Sequence, residues 1–116
     1  MSIEPMAIAL AAKALDGLLM RMGAITQNLA NAGTPRYQAV SVDFEATLRS
    51  AAARSPDAVD AAHFDFRAGH AYAQGEDRRL DLMIADAAQT AMRYSALVDM
   101  LGRRLALRSA AVGAQG

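Results

Sequence analysis

Large apolar residues recur at alternating three- and four-residue steps through the first part of the chain. This spacing places them on one face of an α-helix and is the seam pattern of a coiled coil. Ser2 suits the N-cap and Pro5 the first turn, while Gly33 suits a left-handed C′ residue that Pro35 follows as a stop. We therefore predict a helix over residues 3–32. Its predicted seam consists of Leu15, Leu18, Met22, Ile25 and Leu29.

The same alternation returns near the end of the chain, where it continues without a skip and is the strongest periodic signal. It predicts a second helix over residues 80–110. Acidic residues at the start of this helix and arginines at its end complement the helix macrodipole. The closing residues VGAQG predict a frayed tail. The predicted seam consists of Leu80, Ile84, Ala87, Ala91, Tyr94, Val98, Leu101 and Leu105.

The middle of the chain, residues 33–79, has a different pattern. Residues 41–55 predict a short helix, whereas residues 56–77 are polar, contain glycine and lack a period, which predicts an irregular loop with a weak strand near 63–67. Two long helices joined by this thin connection pair most simply as an antiparallel hairpin. The expected fold is one all-α domain over residues 1–116, with two terminal heptad helices forming an antiparallel coiled coil.

Several apolar residues lie off the predicted seam, so pairing of the two helices along the seam would leave them exposed. Exposed apolar stripes of this size indicate additional helical partners, so we expect Met92, Leu97 and Met100 to contact neighbouring subunits. An ordinary three- or four-helix bundle, with the middle segment folded back as a cover, explains the same residues. Periodicity alone leaves both arrangements open.

Charge and composition narrow the classes of partner. Twelve basic residues balance twelve acidic ones, which gives no electrostatic footprint for nucleic acid or anionic membrane. The absence of cysteine excludes thiol catalysis and disulfides. The early apolar run over residues 6–12 is far shorter than the ~20 residues of a membrane span. We expect no cleaved signal peptide, because Glu4 occupies the n-region and the helical period continues past Ala14.

The sequence offers little catalytic chemistry. His63 and His70 are seven residues apart, without the spacing of a metal site. Asp43 and Glu45 form a carboxylate pair with no recognisable acid–base partner. Phosphate-loop, nucleophile-elbow and zinc-protease motifs are missing from the sequence. We therefore expect no catalytic, metal or cofactor-binding site, and no enzyme.

The segment QNLANAGTPRYQ, residues 27–38, follows the first predicted helix. Asn28 and Asn31 suit hydrogen bonds to local backbone as the helix ends, and Thr34-Pro35 suits a turn with proline at its second position. With heptad helices on both sides, the chain resembles the rod, hook and hook-associated family of the bacterial flagellum. Members of that family carry an S/Q-N-[IL]-A-N-x-x-T-P-G-Y motif after the first helix. The matching positions are Asn28, Leu29, Ala30, Asn31, Thr34, Pro35 and Tyr37.

One position departs from the family motif. Arg36 stands where the family has glycine. Glycine there permits the positive φ of a type II turn, so arginine implies either a type I turn or a strained left-handed residue.

The resemblance implies a structural part of the basal body. Such proteins form the periplasm-spanning rod, a tube that transmits torque and lets export substrates pass. Implied partners are further copies of the chain, related rod proteins, the adaptor between the rod and the MS ring, and the flagellar type III export gate, with no nucleic acid and no membrane span. The sequence FEATL resembles the family's export-gate motif through Phe44 and Leu48, although simple packing explains this i,i+4 pair equally well. The alternative function is a small helical adaptor or chaperone-like binding module.

Overall fold

The computed structural model describes residues 4–68 and 76–115, and most of them are helical. The molecule is elongated, with extents of 62 × 26 × 16 Å, because its last helix alone is about 60 Å long at ~1.5 Å per residue. The elements in chain order are α1 (Glu4–Ala30), β1 (Val40–Val42), α2 (Phe44–Ala52), α3 (Pro56–Asp60), β2 (Phe66–Ala68) and α4 (Glu76–Gln115).

The two long helices occupy the predicted regions with different ends. The first helix, α1, ends at Ala30 because a turn begins at Asn31, whose carbonyl accepts the Thr34 N–H at 3.0 Å. The predicted start at Ile3 lies outside the described residues. The second long helix, α4, begins at Glu76 and continues to Gln115. The prediction of a frayed VGAQG tail is therefore wrong as far as Gln115.

The middle segment contains more regular structure than the sequence predicts. The predicted short helix is α2. In the predicted loop, Ser55 accepts the Ala58 N–H through Oγ at 3.0 Å and caps α3. Strand β2 then pairs antiparallel with β1, with Val42 opposite Phe66. The fold is thus mostly helical with a small two-stranded sheet, which corrects the all-α prediction. The rest of the predicted loop, residues 69–75, lies outside the described part.

Helix α1 lies at the centre of the molecule. It contacts α4, and it also contacts β1, α2 and α3 of the middle segment. Small residues on α1 allow these elements to approach closely, which suits a core with few aromatic side chains. The middle segment thus lies back on α1, as the bundle arrangement requires, while much of α4 stays exposed. The buried cluster consists of Ala9, Leu18, Ala24, Val42, Phe44, Leu48, Ala51 and Val59.

The inward face of α4 differs from the predicted seam. Met83 and Thr90 are buried, and Leu97 packs against the core. These three residues, spaced by seven, form what we call the inner column. The predicted seam lies to one side of the inner column, with Ile84, Ala91 and Val98 each one position after an inner-column residue, and it is largely solvent-exposed. Its exposed large residues are Leu80, Ile84, Tyr94, Val98 and Leu105.

Helix α4 packs on α1 and meets the middle segment through an ion pair in which Arg93 Nη1 lies 3.7 Å from Glu45 Oε2. The side of α4 that packs on α1 is therefore the inner column and not the predicted seam. On α1 the predicted seam does point inward, with Leu18 and Ile25 buried and the others half-buried, namely Leu15, Met22 and Leu29.

Candidate functional site: the loop after the first helix

The side chain of Asn28 joins the end of α1 to β1. Its Nδ2 donates to the Val40 carbonyl at 2.8 Å, and its Oδ1 accepts the Val40 N–H at 2.8 Å. The Tyr37 hydroxyl donates to the same Oδ1 at 3.5 Å. Asn28 is 2% exposed. The carboxamide therefore binds both the N–H and the carbonyl of Val40, as a neighbouring strand would. Because Val40 is twelve residues away, the prediction that Asn28 bonds to local backbone is wrong.

Asn31 does bond locally, as predicted. Its Nδ2 donates to the Gln27 carbonyl at 2.9 Å, and its Oδ1 accepts the Thr34 hydroxyl at 3.2 Å. These bonds fold the chain back at the end of α1. The neighbouring motif residues are less constrained, since Leu29 is half-buried and Ala30 is exposed.

A tight turn over residues 34–37 completes the loop. The Tyr37 N–H donates to the Thr34 carbonyl at 3.2 Å, and Arg36 has a φ of 62°. Proline at the second position and positive φ at the third define a type II turn. Of the two alternatives for Arg36, the left-handed one is confirmed. Gly33 does not have positive φ, so the prediction of a left-handed Gly33 is wrong.

A second cross-link lies about two turns earlier on the same face of α1, at Arg21. Its Nη2 donates to the Val42 carbonyl at 2.7 Å, and its guanidinium makes a two-pronged contact with Glu45 at 2.5 and 2.8 Å. The guanidinium carbon also lies 4.4 Å from the centre of the Phe44 ring. Arg21 thus fixes the junction of β1 and α2 against α1.

The pKa of the Glu45 carboxyl group reflects its contacts with Arg21 and Arg93. Its hydrogen bond with Arg21 lowers the pKa of Glu45, desolvation raises it, and the charges of Arg21 and Arg93 lower it further, with a net lowering. The carboxylate is thus stabilised in its charged form by groups on both long helices. In the sequence, Glu45 stands out only as part of a carboxylate pair, and Arg21 is not among the predicted site residues. The signal in the sequence that could have identified Arg21 is that it is a single arginine in the apolar part of the first helix.

Phe44 and Leu48, the export-gate candidates, are both buried in the fold, at 5% and 8% exposure. The Phe44 ring packs directly on Gly17, where an added Cβ would lie 2.6 Å from Cδ2 and 2.8 Å from Cδ1. It also meets the Phe64 ring at 5.7 Å between centroids. In the folded chain these two residues serve packing, so an external receptor would contact them only if α2 were detached from α1.

The three residues expected to contact neighbouring subunits do not share one face. Met92 and Met100 are exposed. Leu97 packs against the core cluster, so its assignment to an exposed stripe is wrong. Position 97 lies seven residues after Thr90, which places both on the inward side of α4.

The described residues contain a cavity of about 250 Å³ between α1, β1 and α4. Its polar lining includes Arg21, Ser41, Asp86, Thr90 and Arg93. In the described part of the chain, no cluster of three or more His, Asp or Glu side chains has the geometry to hold a metal ion. None of the helices in that part is long and apolar enough to cross a membrane.

Comparisons of the chain with protein-family models, curated proteins and solved structures gave no match.

Proposed function

We propose that the chain is a structural subunit of the bacterial flagellar rod, of the type represented by the proximal rod protein FlgB. The loop after α1 is the observation that carries this proposal. Four of its motif residues, Asn28, Asn31, Thr34 and Tyr37, are linked by hydrogen bonds that fix the chain leaving the first helix, which gives these positions a physical role. The segments VDFEATL and RYSALVDMLGRRLALRSA favour FlgB over its sister protein FlgC.

The proposed assembly uses the two long helices. They pair as an antiparallel coiled coil that lines the axial tube, and each subunit contacts several neighbours head to tail. Support comes from the exposed apolar surface of α4, where Met92 is 72% exposed. Neighbouring copies, related rod proteins and the adaptor to the MS ring are the proposed partners.

Export through the flagellar type III apparatus is the second part of the proposal. The burial of Phe44 and Leu48 favours recognition before folding, because a gate could contact both side chains in an extended or partly folded chain. The folded subunit would then appear only at the growing end of the rod, in the periplasm.

Deletion of the encoding gene tests the proposed function. We expect non-motile cells whose purified basal bodies have rings but no rod, and restoration by the intact chain. Normal flagella in the deletion strain would reject the rod function and favour the helical adaptor.

A substitution on the exposed side of α4 tests the assembly contacts. Met92→Asp should leave folding unchanged, since the side chain is largely in solvent, yet reduce motility strongly. Leu97→Asp is the contrasting variant, because it should unfold the monomer through its contact with the core. Met92→Leu is the matched control and should support swimming. Wild-type motility with Met92→Asp would remove this residue from the assembly surface.

A further inference from the structure

The cavity between α1, β1 and α4 has two sides of different chemistry. Helix α1 and strand β1 supply its apolar residues, whereas every large side chain that α4 supplies is polar or charged. The α4 residues follow an i, i+3, i+4, i+7 spacing and therefore share one helical face. A ligand in this cavity would meet hydrocarbon on one side and hydrogen-bonding groups on the other. The apolar set is Ala24, Ile25, Val40 and Val42, and the α4 set is Asp86, Gln89, Thr90 and Arg93.

Thr90 is a buried polar residue in the wall of this cavity. It is 4% exposed. Its Oγ1 has no hydrogen-bond partner among the residues that the structure describes, whereas the hydroxyls of Thr26 and Thr34 donate to Met22 and Asn31. A hydroxyl that is buried without a hydrogen bond is destabilising. The position of Thr90 therefore favours a ligand atom that can hydrogen-bond at this place.

Arg93 brings further donor groups to the same side of the cavity, one helical turn after Thr90. The contact that Arg93 makes among the described residues is with Glu45, whose Oε2 lies 3.7 Å from Nη1. This distance is too long for a hydrogen bond. Glu45 is already held by both terminal nitrogens of Arg21. The guanidinium of Arg93 thus keeps N–H donors available for a ligand.

The charges around the cavity indicate the class of ligand. Arg21 and Glu45 neutralise each other in their two-pronged contact. Asp86, which also lines the cavity, has an interaction of its own. A carboxylate fits the planar fork of a guanidinium and also accepts a hydrogen bond from a hydroxyl. It is therefore the group that uses the donors of Arg93 and Thr90 together.

We propose that this cavity binds a short aliphatic carboxylate. Its oxygens accept hydrogen bonds from the Thr90 hydroxyl and the Arg93 guanidinium, and its hydrocarbon chain packs on Ala24 and Ile25. The cavity volume of about 250 Å³ is below the ~300–1,000 Å³ of pockets for drug-sized ligands, so the chain of the acid is short. The bound acid connects α4 to α1 and β1 and stabilises the folded chain. This inference does not rest on the rod function.

Amide NMR shifts of the full chain test the site, with butyrate as the probe near neutral pH and at constant ionic strength. We expect saturable shifts at the residues that line the cavity. Butyrate should bind at least about fivefold more tightly than acetate, because its two further CH₂ groups contact the apolar side. Butyramide has the same shape without the charge, so it should bind at least about tenfold more weakly than butyrate.

Two substitutions in the wall of the cavity test the proposed contacts. Thr90→Val keeps the size of the side chain and removes the hydroxyl, and it should weaken butyrate binding at least about fivefold. Arg93→Gln removes the charge and should weaken binding by at least as much. Thr26→Val and Arg108→Gln are the matched controls, because neither residue is among those that line the cavity. Circular dichroism verifies that every variant keeps its helical content.

Each outcome decides the inference. Saturable shifts at the cavity residues, with losses confined to Thr90→Val and Arg93→Gln, support it. Titrations without saturation overturn it, as does equal binding of butyramide and butyrate. A control variant that weakens binding as much as Thr90→Val also overturns it, because the carboxylate would then bind elsewhere on the surface.

Discussion

The carboxamide of Asn28 binds both backbone polar groups of Val40, twelve residues away along the chain. One buried side chain thus performs the role of a neighbouring strand at the free edge of β1. Seven residues earlier on α1, Arg21 binds the carbonyl of Val42. The first helix therefore holds β1 through two side chains on one face, and the middle segment is positioned by polar contacts as well as by apolar packing.

Asn28→Ala should destabilise the protein by about 2–4 kcal/mol, because two hydrogen bonds are lost and the Val40 groups lose their partners. Asn28→Asp should also be destabilising, since a carboxylate would face the Val40 carbonyl. Asn31→Ala is the control, with an expected loss of at most about 1 kcal/mol for its more exposed local bonds. Chemical denaturation measures all three. Equal losses at positions 28 and 31 would contradict the cross-link.

Arg36→Gly should stabilise the protein by about 0.5–1 kcal/mol. Glycine relieves the cost of positive φ, and its greater freedom in the unfolded chain offsets part of this gain. Arg36→Ala keeps a Cβ at the same φ, so it should leave the free energy of unfolding nearly unchanged. Gly33→Ala should not destabilise, since Gly33 lacks positive φ and its added Cβ meets open space. A large loss with Gly33→Ala would restore the left-handed assignment to that residue.

Gly17→Ala should cost about 1–3 kcal/mol through overpacking against the Phe44 ring. Gly23→Ala, on the same helix with no neighbour within 4 Å, should instead stabilise by up to about 1 kcal/mol through helix propensity. Thermal unfolding compares the two variants. Adding Phe44→Leu to Gly17→Ala should recover part of the loss, and strict additivity of the two effects would show that they are not coupled.

Stability should fall in acid partly through Glu45. Its pKa is lowered by folding, so the unfolded state binds a proton at higher pH than the folded state does. Its contribution is present above the unfolded pKa and is lost as the pH falls through the lower folded pKa. Glu45→Gln should therefore destabilise near neutral pH, with a difference from wild type that shrinks as the pH is lowered through this range. A difference independent of pH would assign the effect to hydrogen-bond geometry alone.

The last part of α4 should contribute little to the stability of the monomer. Every residue from 105 to 114 is exposed, so its helix depends on local propensity. Ending the chain after Leu105 should change the free energy of unfolding by less than about 0.5 kcal/mol, measured at a dilution where the protein is monomeric. Ending it after Ala96, which removes Leu97 and its core contact, should be strongly destabilising. A large loss from the shorter truncation would show that the end of α4 packs within the monomer.

Patterns of nearby residues determined much of this fold. The apolar period in the first and last thirds specifies two long helices, because residues three and four apart share one helical face. The turn after α1 was also evident, since Pro35 has a fixed φ and Asn31 bonds locally. Comparison with the family motif showed that Arg36 stands where glycine is usual, which implied a type I turn or a left-handed residue. The structure decided for the left-handed residue, with a φ of 62°.

Only the tertiary structure decided which column of α4 faces inward. Its apolar surface is wider than one seam, and the period is equally compatible with the inner column and with its neighbour one residue later. The choice depends on which side α4 presents to α1 in the folded chain, where Met83 and Thr90 are buried. The contacts of Asn28 with Val40, Arg21 with Glu45 and Gly17 with Phe44 likewise join residues 12 to 27 positions apart. Such pairs depend on the three-dimensional path of the chain, for which local spacing carries no signal.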